Sequence, residues 1–106
     1  MKYKIAELND CLRQTFTGGQ VVMTAGVDAL PAAMKASVLQ KVQSFNEFDA
    51  DNDPHKEHDF GSFEIDGEKF FFKIDYYAPG MDGGSEDPSD PQKTARVLTI
   101  MFASDY

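Results

Sequence analysis

Ile5, Leu8, Leu12 and Phe16 recur at spacings of three and four with polar residues between them, and Cys11 stands beside Leu12. That period predicts an amphipathic helix over about residues 4 to 17 with the thiol on its apolar stripe, and Gly18 and Gly19 supply the permissive backbone that ends it. The run "QVVMTAGV" then reads as a short, β-branched buried strand stopped by Gly26. Asp28 is placed to cap a second helix with Pro31 in its first turn, where a missing amide donor costs little. Leu30, Met34, Val38, Val42 and Phe45 form the buried stripe of that helix, which the pattern carries to about residue 46.

From residue 60 the period falls to two. Phe63 and Ile65 share a face, Asp66 and Gly67 make a turn, and Phe70, Phe72, Ile74 and Tyr76 then alternate with Phe71, Lys73, Asp75 and Tyr77, which predicts a β-hairpin with one apolar face. The closing run "TARVLTIMFASDY" sets Val97, Thr99 and Met101 on one side and Leu98, Ile100 and Phe102 on the other. A strand apolar on both sides belongs inside a sheet. The order α-β-α-β-β-β predicts an α+β fold, with two helices packed on one face of a four-stranded antiparallel or mixed sheet.

Composition bounds what this fold can do. The 106 residues, 42% of them hydrophobic, suffice for one domain with a single core. Eighteen Asp and Glu against ten Lys and Arg leave a formal charge of −8, which opposes direct binding to nucleic acid and favours a protein partner with a basic surface. The lone Cys11 has no internal disulfide partner, and "MKYKIAELNDC" lacks the apolar stretch of a signal peptide, so a cytoplasmic chain is expected. No apolar run reaches the roughly 18 residues of a membrane span. A monomer or weak homodimer is expected, the latter through an open hairpin edge.

The candidate chemistry sits in two loops. "DADNDPHKEHDF" places Asp49, Asp51 and Asp53 at the first, third and fifth positions of a calcium loop, but Pro54 and Phe60 stand where such a loop needs glycine and a bidentate glutamate. His55 and His58, with Asp59, could ligate one divalent metal ion, and Glu57 could then act as a general base in a hydrolase. The zinc-peptidase spacing H-E-x-x-H is absent. Cys11 reads as inert packing, the glycine-rich stretches lack the Lys and Ser/Thr of a phosphate loop, and no catalytic set or cofactor emerges. Lys69, Phe71, Lys73 and Tyr77 share one face of a strand and read as a solvated sheet face with cross-strand ion pairs. Residues 47 to 59 carry six carboxylates and residues 82 to 90 carry four, so ten of the 18 acidic side chains fall in two loops. If both lie at one edge of the sheet, Asp49, Asp51, Asp53, Glu57, Asp59, Asp82, Glu86, Asp87 and Asp90 would form a partner-binding surface for a Lys/Arg-rich groove.

The segments "LNDCLRQTFTGGQVVMTAGVDALP", "DNDPHKEHDFG", "KIDYY", "GSEDPSDP" and "RVLTIMFASDY" resemble, over nearly the whole chain, a family of small proteobacterial proteins classed as a domain of unknown function. The resemblance puts a glycine where Lys56 stands and a tryptophan where Phe72 stands, and keeps the acidic and histidine positions. It implies one domain over residues 1 to 106 and, by association, a passenger of plasmids, prophages and other mobile elements. In that setting the expected function is an anti-defence inhibitor of anti-CRISPR or antirestriction type, which binds a nuclease or effector complex through its acidic loops. The alternatives are a metal-dependent hydrolase or metal-binding protein using the 49–59 loop, and a housekeeping interaction module of the host.

Overall fold

The first helix forms where the period sets it, but turned about its axis. In the computed structural model, which describes residues 3–106, α1 spans Ile5–Thr15 and buries Asn9, Leu12 and Arg13. Phe16 ends it in the left-handed region at φ 56°, its amide donating to the Leu12 carbonyl, a position glycine usually fills. Cys11, expected on the buried stripe, is exposed. Two polar residues, Asn9 and Arg13, take the inward face because partners wait for them inside, as described below.

Strand β1, Gln20–Met23, leads into two helices where the pattern predicts one: a single turn α2, Ala25–Asp28, and the longer α3, Ala32–Ser44. The break follows from Pro31, whose ring disfavours helical backbone at the residue before it. Pro31 is therefore the cap residue of α3 and lies outside its first turn. Asp28 caps neither helix, and its carboxylate accepts from Lys35 Nζ at 3.0 Å. Val38, Val42 and Phe45 are buried as expected.

The hairpin is β2, Phe60–Ile65, and β3, Glu68–Tyr77, joined by Asp66 at φ 51° and Gly67 at φ 83°. Two successive left-handed residues give the turn whose twist matches that of the strands. The last strand, β4, Ala95–Phe102, lies between β1 and β3 in the order β1-β4-β3-β2. β1 runs parallel to β4 and the other pairs are antiparallel, so the fold is α+β on a four-stranded mixed sheet with three helices.

Phe70, Phe72 and Ile74 pair with Phe102, Ile100 and Leu98, and this face meets Leu12, Val38 and Val42 in one core. Phe72 stands at its centre, edge-on to Phe45 at 5.2 Å. On the opposite face Lys73 pairs with Asp75 of its own strand at 2.8 Å, and Lys69 lies over the Phe71 ring. That ion pair runs along the strand, where a cross-strand pair was expected. Tyr106 rests edge-on against Phe60 and Phe71. Among the described residues no helix is long and apolar enough to cross a membrane.

Candidate functional site

Arg13 lies inside the protein, its side chain 2% exposed, where a bare guanidinium could not be tolerated. Its Nη1 donates to the carbonyls of Val42, Gln43 and Phe45 at 2.8–3.3 Å, and its Nη2 to Asp10 at 2.8 Å. These carbonyls lie at the C-terminal end of α3, where the helix dipole favours a cation, and that of Val42 also accepts from the Phe45 amide at 3.4 Å. Arg13 Nε has no hydrogen-bond partner, while the guanidinium sits 5.4 Å from the Phe48 ring centre and 5.7 Å from that of Phe72.

Asp10 also accepts from His58, with Nδ1 3.0 Å from both carboxylate oxygens. The imidazole stacks on Phe48 with ring centres 4.1 Å apart, and its Nε2 faces Asp53 at 3.7 Å. His58 thus pins the first acidic loop to α1. Within the loop, Asp49 accepts from the amides of Asp51 and Asn52, and Asp53, 5% exposed, accepts from those of Glu57 and His58. Lys56 and His58 are both left-handed, at φ 56° and 57°. A glycine, the residue expected at 56 from the resemblance, would adopt this backbone without the steric cost that a lysine carries. A cleft of about 430 Å³ opens beside Phe48, Asp49, Asp53, Lys56 and His58.

The second acidic loop folds on itself. Asp87 accepts from the amide and hydroxyl of Ser89, and Asp90 caps a short 3₁₀ turn, Pro91–Lys93, through the Gln92 amide. A buried polar network joins this loop to the first. Arg96, 4% exposed, donates to the Pro88 carbonyl and, through Nε, to Asn9 Oδ1 at 2.8 Å. Asn9 donates to the Glu57 carbonyl at 2.9 Å and to the Tyr76 hydroxyl at 2.7 Å, and Tyr76 donates to the Glu57 carboxylate at 2.9 Å. One asparagine and one arginine therefore hold both loops at the same end of the sheet.

The network perturbs its members. Burial first, then donation to Glu57, pushes the Tyr76 phenol well above its ordinary value, although the hydrogen bond from Asn9 opposes this. Burial also lowers the Arg96 guanidinium, partly offset by Tyr76 and Glu57. The Asp59 carboxyl is raised by burial and, less, by Glu57 and Asp53, against a lowering backbone hydrogen bond and His55.

The nine carboxylates expected at a partner surface divide in two. Asp49, Asp51, Asp82 and Glu86 are exposed, and Glu47 joins them. Asp53 is buried in the loop's own hydrogen bonds, a correction to its expected outward role, and Glu57, Asp59, Asp87 and Asp90 are half-buried. His55 is exposed while His58 is turned to Asp10, and among the described residues no three His, Cys, Asp or Glu are grouped to hold a metal ion. The sequence reading missed Asn9, Asp10, Arg13, Tyr76 and Arg96. The available signal was the Asn9, Leu12, Arg13, Phe16 spacing, a second helical stripe with polar residues in it.

The model of a family described as a protein of unknown function, DUF3768, matches residues 23–105, and the chain belongs to that family. No curated protein and no solved structure matches it.

Proposed function

We propose that this DUF3768 chain is a protein-interaction domain that presents its two acidic loops, held as one surface, to a Lys/Arg-rich face of a partner. The observation that supports this is the Arg96–Asn9–Tyr76–Glu57 network, which ties the loop of Asp49 and Asp51 to that of Asp82 and Glu86. A buried arginine and asparagine are costly to desolvate, and they are satisfied here only by joining these loops. Exposed carboxylates at one end of a chain of charge −8 steer association toward a basic groove and disfavour a phosphate backbone.

The partner class this fits is a nuclease or effector complex of a defence system, whose nucleic-acid groove the loops would occupy. The corresponding role is that of an inhibitor carried by a mobile element. Affinity capture from cells with the wild type and with an Asp49→Asn, Asp51→Asn, Asp82→Asn, Glu86→Gln variant tests the proposal. A stable partner with a basic surface, retained by the wild type and lost with the variant, is expected; equal capture by both would end it.

A further inference from the structure

The outer strand β2 is unprotected. It pairs with β3 at one edge of the sheet, and its sequence, Phe-Gly-Ser-Phe-Glu-Ile, has no proline, lysine or bulge of the kind that blunts an edge. The Ile74 amide donates to the Asp59 carbonyl at 2.8 Å, which makes residues 59 and 74 a hydrogen-bonded pair. Antiparallel alternation then turns the amides and carbonyls of Gly61, Phe63 and Ile65 toward β3, and those of Phe60, Ser62 and Glu64 outward.

Along this edge α3 presents the flank Ser37, Gln40, Lys41 and Ser44, next to its buried Val38, Val42 and Phe45. Between that flank and Phe63 and Ile65 run two adjoining hollows of about 380 and 190 Å³, which share Lys41 and Ser44; the exposed Glu47 lines the smaller one and no carboxylate lines the larger. We propose that this groove docks an extended segment of a partner protein, which adds a strand at β2 and sets an acidic side chain beside Lys41.

Three features select that occupant. The outward backbone groups of Phe60, Ser62 and Glu64 need donors and acceptors at strand spacing, which an extended chain supplies. Alternate side chains of such a strand point to the helix side, where the hollows have room for them and Lys41 is the charged residue lining the larger, away from Glu47 in the smaller; the neighbouring positions point to the side of the exposed Glu64, which favours a basic or neutral residue. A second copy's β2 would set Gly61, Phe63 and Ile65 on the helix side and bring no carboxylate to Lys41. The larger hollow is lined by no residue of either acidic loop, so the inference does not rest on the reading of those loops.

The test is selection of a displayed library of random dodecapeptides against the 106-residue chain, followed by affinity measurement with the enriched peptides made synthetically. Two protein variants report the mode. Ser62→Pro removes an outward amide and no bond to β3, a position where an edge strand accepts proline, and Lys41→Glu reverses the charge in the groove on an exposed helix position. The enriched peptides are expected to carry Asp or Glu with apolar residues two positions away, and to lose roughly tenfold or more in affinity for each variant, while both variants still unfold cooperatively above the assay temperature. Should Ser62→Pro fail to fold, Lys41→Glu decides alone. No enrichment, or equal binding to wild type and variants, overturns the proposal, as does a homodimer that Ser62→Pro dissociates, which would assign the edge to a second copy.

Discussion

Lys56 shows how much a single backbone angle explains. A lysine at φ 56° carries a steric cost that glycine does not, so Lys56→Gly is expected to stabilise the protein by about 0.5–1 kcal/mol in urea unfolding. Arg13 sets the opposite case. Replacing it by methionine removes its bonds to the carbonyls at the end of α3, of which Val42 alone keeps the Phe45 amide, and leaves Asp10 with His58 only, and a loss of about 3 kcal/mol is expected on the same measurement. Asp59 links residue chemistry to pH. Its folded carboxyl is raised, chiefly by burial, so the folded state holds its proton more tightly than the unfolded one, and stability falls as pH rises through the raised value. Asp59→Asn should therefore raise the thermal midpoint at pH 7 and change it little at about pH 3, where the carboxyl is protonated in both states. A variant equally stabilised at both pH values would mean that ionisation is not the cause. None of these three roles is readable from composition, because each depends on which groups the chain brings to that residue.

At the scale of elements, the period-two runs translate directly into β2, β3 and β4, since alternation and register are local properties of a strand. The helices translate less well. A helical stripe gives a face only to within the neighbouring residue, and Asn9 and Arg13 displaced Cys11 from the inside because each meets acceptors supplied by residues far along the chain. Pro31 likewise divides what reads as one helix. Gly61 within β2 was not singled out in the sequence, and it marks a close approach: a Cβ there would lie 2.3 Å from the Phe72 ring. Gly61→Ala should cost roughly 1–3 kcal/mol through overpacking, measured by denaturant unfolding. The link between the acidic loops is likewise an element-scale device. Asn9→Ala removes two donated bonds and one accepted bond, and hydrogen exchange should then quicken in both loops together, with a loss of about 2–4 kcal/mol. Faster exchange in one loop alone would contradict the bracing.

For the whole molecule, the clustering of ten carboxylates in two loops was visible in the sequence, and the hydrogen-bonded link between the loops through Glu57 and Pro88 was not. Proximity comes from Arg96 and Asn9, which are separated by 87 positions and joined by a bond that no local pattern predicts. The fold also sorts the carboxylates by exposure: Asp53 and Asp87 are turned to hydrogen bonds within their loops, while Asp49, Asp51, Asp82 and Glu86 are exposed, Asp49 as it closes a turn and Glu86 beside Lys93 at 3.4 Å. The direct test of the central claim is the dissociation constant of the captured complex as a function of salt, for the wild type and for the variant neutralised at those four positions. Screening acts on exposed charges across an interface, so the wild-type affinity should fall roughly tenfold or more between 50 and 300 mM salt, on the order expected for several such contacts, while the variant binds weakly with a shallow dependence. Tight binding that ignores both salt and the four substitutions would contradict it.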